Sequence, residues 1–156
     1  MAGFERLLPD AAATEAFGER LAACLTGGAL VFLNGDLGAG KTTLVRGVLH
    51  GLGHTGRVKS PTYTLIEPYT IDARDVYHLD LYRLADAGEL EWIGVRDLVG
   101  GEALCLIEWP QRGHGFLPQP DLDVELEVQS RGRQIRVRAG SESGRRILRC
   151  IESSSL

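Results

Sequence analysis

Apolar residues first recur at helical spacing where Ala13, Phe17, Leu21, Cys24 and Leu25 fall on one face. Asp10 stands at the capping position before them, and Gly27 and Gly28 end the run. Residues 29–34, ALVFLN, are apolar without alternation, the pattern of a short strand buried on both faces. Residues 42–52 return to helical period with Leu44, Val45, Val48, Leu49 and Leu52 inward. Gly47 and Gly51, one turn apart, predict close packing on a neighbouring helix. Residues 57–64 are polar and broken by Pro61, hence loop. Residues 64–69 and 76–82 read as strands joined by a hairpin, with Val76, His78 and Asp80 on one face of the second. DAGELEWIG predicts a helix that VRDLVG continues. Residues 103–109, ALCLIEW, form a second fully apolar strand ending in an acid, and 112–120 are loop. DVELEVQ and QIRVRA alternate as an antiparallel pair. Residues 141–156 show no clear period and read as a disordered C-terminal tail, leaving 1–140 as one domain.

Composition narrows the class. A chain of 156 residues with 44% hydrophobic and 24% charged residues suits one compact globular domain with a sizeable core. A net charge of −4 argues against a general nucleic-acid coat. Cys24, Cys105 and Cys150 are odd in number and lack metal-ligand spacing, which predicts free thiols in a reducing compartment. No apolar run reaches membrane-spanning length, and the N-terminus has no apolar signal core, so the expected location is the cytoplasm.

Only two of the 17 basic residues are lysines, and one of them, Lys41, lies inside NGDLGAGKTTLVRG. Gly35, Gly40, Lys41 and Thr42 satisfy G-x-x-x-x-G-K-[ST], between a predicted strand and a predicted helix as that motif requires. Glycines permit positive φ and leave no side chain to obstruct a phosphate. Successive N–H groups from Gly35 through Asp36, Leu37, Gly38, Ala39 and Gly40 to Thr43 can then curl around anionic oxygens. The helix beginning there points its positive end at the same place. Lys41 supplies a point charge for the β- and γ-phosphates, and the Thr42 hydroxyl is a hard oxygen suited to Mg²⁺. The expected ligand is therefore a nucleoside triphosphate with its metal.

A P-loop works with an acid at the end of a neighbouring apolar strand. Asp80 closes VYHLD and Glu108 closes LCLIE; the more apolar strand behind Glu108 makes it the pattern's choice for the Mg²⁺-linked acid. Thr62, in SPT at 60–62, is placed to reach a γ-phosphate and Mg²⁺ if that loop closes, or else belongs to a proline-anchored turn. Trp109 adjoins Glu108. The four histidines show no recurring spacing and receive no role. Residues 131–149 carry seven arginines and one acid; Arg136 and Arg138, on one strand face, either touch RNA phosphates or form a solvated edge.

GDLGAGKTTLVRG, SPTYTL, HLDLYRL and LIEWP, in this order, resemble the TsaE family of bacterial P-loop ATPases, over roughly residues 8–138 and including the Thr14–Gly18 segment. That family takes part in making threonylcarbamoyladenosine at tRNA position 37. The apolar strands and intervening helices predict an α/β, three-layer P-loop fold, and the 64–82 hairpin and the antiparallel C-terminal strand pair make its sheet mixed and only partly parallel. The resemblance implies ATP and Mg²⁺ as cofactors, and ATP phosphates bound by Gly35 to Thr43, with Thr42 on Mg²⁺. Ser60, Pro61 and Thr62 become a switch-like loop. Asp80 rather than Glu108 becomes the Mg²⁺-associated acid, while Glu108, still beside the metal, positions or activates the attacking water with Trp109 near the nucleotide. It also implies TsaD and TsaB as partners, with ATP hydrolysis, weak without them, supporting turnover of their transferase. Contact with tRNA is then indirect or through the basic C-terminal strand. The competing reading is a small-molecule P-loop kinase; the hairpin at 64–82 offers no obvious arginine-bearing lid for one. Gln111 stands where many members carry an acid.

Overall fold

The computed structural model describes residues 3–153. Its seven strands are β1 (Gly3–Leu8), β2 (Ala29–Asn34), β3 (Ile66–Ile71), β4 (Arg74–Asp80), β5 (Leu104–Glu108), β6 (Leu122–Val128) and β7 (Arg133–Ala139). They form one sheet in the order β1-β7-β6-β2-β5-β4-β3. β2 pairs in parallel with β5 and β6, and β4 with β5; β1–β7, β6–β7 and β3–β4 are antiparallel. The protein is thus α/β with a mixed, partly parallel sheet and an antiparallel C-terminal pair. β1 was not evident from the sequence, because six residues of alternating exposure beside one partner strand carry little apolar signal.

The residues alternate between two cores. Val31, Leu33, Leu104, Leu106, Val76, Val124 and Val137 face one side, against α1 (Ala11–Cys24), α2 (Lys41–Leu52) and α5 (Glu142–Ser153). Leu30, Cys105, Ile107 and Leu79 face the other, against Leu84, Leu90 and Val95. On that second side the expected continuous helix is two short ones, α3 (Glu89–Trp92) and α4 (Val95–Leu98), because Gly94 adopts φ +72° between them. The second layer covers β2, β5, β4 and β3 only. Over β6 and β7 that face carries Asp123, Glu125, Glu127, Arg136 and Arg138.

Asp10 caps α1, its Oδ1 accepting from the Ala13 N–H at 2.8 Å. α1 and α2 meet at glycines: a Cβ on Gly47 would lie 2.1 Å from the Glu15 carbonyl oxygen, and one on Gly18 would lie 2.5 Å from that of Leu44. The β3–β4 hairpin turns on two residues, Asp72 and Ala73, both at positive φ as a tight right-twisted hairpin requires.

Two expectations are corrected here. Residues 142–153 are helix rather than disordered tail, with Gly144, Ile147, Leu148 and Ile151 buried on one stripe. Five charged residues among the twelve obscured that stripe in the sequence. Residues 154–156 lie outside the described part. Nor are all three cysteines free: Cys24 of α1 and Cys150 of α5 form a disulfide, which joins the C-terminal helix to the domain. Cys105 alone is a free thiol, buried, and burial pushes its pKa up to about 11.

Candidate functional site

The loop between β2 and α2 is built from backbone conformations that need glycine. Gly35, Gly38 and Gly40 have φ of +151°, +81° and +105°. A Cβ on Gly35 would stand 2.6 Å from the Leu126 carbonyl oxygen. Gly40 is the N-cap of α2 and offers no capping side chain, so the first-turn N–H groups of Lys41, Thr42 and Thr43 have no partner within the helix. They face a cleft of about 260 Å³. Its walls bring together Leu37, Gly38, Gly40, Lys41, Thr42, Thr43, Thr62, Asp80, Glu108 and Trp109 from four separate segments. Gly35 and Asp36 instead border an adjoining cavity of about 690 Å³, which Trp109 and Gln111 also line. Ala39 is buried in the core beneath the loop.

The two acids are neighbours across parallel strands. Asp80 on β4 stands in register with Glu108 on β5, so their backbones are one interstrand spacing apart, about 4.8 Å. Both are buried, at 8% and 3% exposure. The Tyr82 N–H donates to Asp80 Oδ1 at 3.0 Å. Burial pushes the Asp80 carboxyl above the usual aspartate range and the charge of Glu108 adds to this, while that N–H, His78 and Lys41 oppose it. Burial likewise pulls the Lys41 ammonium below the usual lysine range, against the attraction of Glu108, Asp80 and Asp36.

Lys41 Nζ donates to the Gly35 carbonyl and sits 3.9 Å from the centre of the Trp109 ring. Trp109 has φ +56°, a left-handed conformation that a side chain of this size rarely adopts. It packs on Tyr82 at 5.0 Å between centroids. Thr62 closes the cleft from the loop before β3, its hydroxyl 2.7 Å from that of Ser60.

Three residues at this site were missed in the sequence. Arg133, at the start of β7, donates from Nε to the Ala39 carbonyl at 2.9 Å and from Nη2 to that of Gly38 at 3.0 Å. It thereby ties down the outer side of the phosphate loop, and it also lines the cleft. Thr14 of α1 comes within the shell around Gly40. His78, to which the sequence assigned nothing, lies within hydrogen-bond distance of Glu108, Nε2 to Oε2 2.6 Å. The strand alternation that places His78 on the Asp80 face was the one available signal.

Of the two arginines on the outer face of β7, Arg136 is held by Glu5 at 2.9 Å, Glu125 at 3.1 Å and Glu127 at 3.7 Å, as the solvated-edge reading has it, while Arg138 beside it is exposed.

Thr42, Asp80 and Glu108 are hard oxygen donors converging on one cleft beside the lysine, a donor set that fits Mg²⁺ bound together with phosphate and water. Among the described residues, no group of three or more His, Cys, Asp or Glu forms a ready-made metal cage. No helix there is long and apolar enough to cross a membrane.

Residues 8–135 match the family model described as threonylcarbamoyl adenosine biosynthesis protein TsaE. The tRNA threonylcarbamoyladenosine biosynthesis protein TsaE of Haemophilus influenzae is 45% identical over 153 residues, covering 95% of this chain and 97% of that protein. The protein of the same name from Bacillus subtilis is 40% identical over 114 residues, 73% of this chain and 71% of that one. The crystal structure of Bacillus subtilis YdiB superposes with a TM-score of 0.82 at 27% identity, over 98% of this chain and 96% of that one.

Proposed function

This chain belongs to the TsaE family, and from that premise we propose that it is the Mg²⁺-dependent ATPase subunit in the synthesis of threonylcarbamoyladenosine at tRNA position 37. Its hydrolysis of ATP supports turnover of the TsaD–TsaB transferase rather than activating tRNA directly. The observation that carries the reading is the cleft itself: a phosphate loop with Lys41 and Thr42 opens onto the in-register pair Asp80 and Glu108.

Phosphoryl transfer asks a protein for positioning and charge neutralisation more than for covalent chemistry. The loop N–H groups and the start of α2 bind the phosphate oxygens. Lys41 leaves the Gly35 carbonyl and the Trp109 ring for the β- and γ-phosphates, whose charge offsets the burial of its ammonium. Thr42 and Asp80 would hold Mg²⁺, which, when bound, neutralises charge developing on the phosphates. Glu108 positions the attacking water and accepts its proton. Thr62 and Trp109 close the cleft against bulk water.

The experiment is ATP turnover by the purified chain, alone and with TsaD and TsaB. Stimulation by the pair supports the proposal. Transfer of the γ-phosphate to an added metabolite would instead favour a small-molecule kinase.

A further inference from the structure

We infer that His78 is the positioning residue for Glu108: it holds the carboxylate in the orientation that faces water in the cleft and keeps it from collapsing onto Lys41. The inference rests on Glu108 acting on the attacking water, as proposed for this site.

His78 lies opposite Leu106 in the β4–β5 ladder, and Glu108 is two residues further along β5 on the same face. The two side chains are therefore diagonal neighbours, within reach for long groups. His78 is fully buried and Glu108 is 3% exposed. The 2.6 Å contact between Nε2 and Oε2 is the side-chain hydrogen bond made by Glu108 among the described residues. A glutamate carboxylate has only acceptor oxygens, so the bond is assigned with Nε2–H donating to Oε2. Nδ1 is buried without a partner among the described residues. An aliphatic side chain would not carry that desolvation penalty, so what the imidazole contributes here is its single bond to Glu108.

Glu108 needs such a hold. A glutamate at a strand end has three free side-chain torsions, and the Lys41 ammonium in the same cleft attracts it electrostatically. Without His78 the acid would swing towards the ammonium. With ATP bound the ammonium is drawn to the phosphates, and a carboxylate turned towards it no longer faces the water, so the loss falls on hydrolysis rather than on binding. With Oε2 fixed by His78, the second oxygen remains for the water, and Lys41 rests on the Gly35 carbonyl. Orientation of a reacting group on this scale commonly changes rates by about ten- to a hundredfold.

Glutamine and asparagine at position 78 separate this role from simple packing. The glutamine amide nitrogen reaches the place of Nε2, whereas that of asparagine stops near Nδ1. Single-turnover hydrolysis with TsaD and TsaB present, and ATP affinity by calorimetry, are measured for His78→Gln, His78→Asn, Glu108→Gln and the double variant His78→Asn with Glu108→Gln. The expected result is a rate about ten- to a hundredfold lower for His78→Asn, ATP affinity within about twofold of the parent, and recovery of most of the rate in His78→Gln. In the Glu108→Gln background, His78→Asn should lower the rate no further.

Parent-like hydrolysis by His78→Asn beside a slow Glu108→Gln overturns the inference alone. So does a slow His78→Gln indistinguishable from His78→Asn, or a loss of ATP affinity and thermal stability that parallels the rate in both. Parent-rate hydrolysis by Glu108→Gln overturns the reading of Glu108 itself.

Discussion

Lys41 Nζ rests 3.9 Å from the centre of the Trp109 indole while donating to the carbonyl of Gly35. The lysine proposed to neutralise phosphate is thus parked against an aromatic face that lines the same cleft. If Lys41 moves to the phosphates as proposed, nucleotide binding separates the two and changes the environment of Trp109. With the exposed Trp92 replaced by phenylalanine, Trp109 is the remaining tryptophan. Its emission should shift or quench on adding ATP with Mg²⁺ and recover when nucleotide is removed. Unchanged emission at saturating ATP would mean that the Lys41–Trp109 contact persists in the bound state.

Removing each member of the cleft should separate binding from turnover. Lys41→Ala is expected to weaken ATP affinity and hydrolysis together, because the ammonium meets phosphate in the ground state and the transition state alike. Asp80→Ala should make ATP affinity insensitive to Mg²⁺. Glu108→Ala should bind ATP like the parent and hydrolyse it about a hundredfold more slowly, within the usual span for a general base. Calorimetry beside phosphate release distinguishes the three.

Arg133 supports the loop from the C-terminal strand pair through two bonds to loop carbonyls. Arg133→Ala should reduce affinity for both ADP and ATP by about tenfold, the equivalent of one charge-assisted hydrogen bond, with the melting temperature little changed. Arg138→Ala, on the polar face of the same strand, is the comparison and should leave affinity intact. Equal effects of the two substitutions would point to general charge instead.

The α1–α2 crossing has no room for a methyl group. Gly47→Ala would drive a Cβ to within 2.1 Å of the Glu15 carbonyl oxygen, and overpacking of this kind destabilises by about 1–3 kcal/mol. Gly27→Ala, with nothing within 4 Å of the added atom, should be close to neutral. Chemical denaturation of the pair measures the difference.

The thiols can be counted. In the native protein Cys105 should resist alkylation at pH 8, since burial raises its pKa to about 11 and leaves almost no thiolate. Denaturant without reductant should expose one reactive thiol, and denaturant with reductant three. Three without reductant would contradict the Cys24–Cys150 bond. The folded-state pKa lies above the ordinary thiol value of 9.0, so the unfolded chain loses this proton first. Stability should therefore be unaffected by this group below pH 9 and fall as pH rises from there to about 11.

Much of the site was legible along the chain. A phosphate loop is a run of contiguous residues whose function lies in backbone conformation, so Gly35, Gly40, Lys41 and Thr42 declare it through spacing alone. The unbroken apolar strand ending in Glu108 reported burial on both faces, whereas Asp80 closes a strand interrupted by His78 and took precedence as the metal-linked acid only through the family resemblance. The helical stripe of α5 was also present, in Ile147, Leu148 and Ile151, but charged neighbours outnumbered it.

Contiguous chemistry and the face of each strand were thus written in the order of the residues. Pairings were not: Glu108 meets His78 across 30 residues, Arg133 meets Ala39 across 94, and Cys24 meets Cys150 across 126. Periodicity reports which way a side chain points. It carries no information about which strand or helix lies alongside, and that is settled only when the sheet order forms and the two cores close.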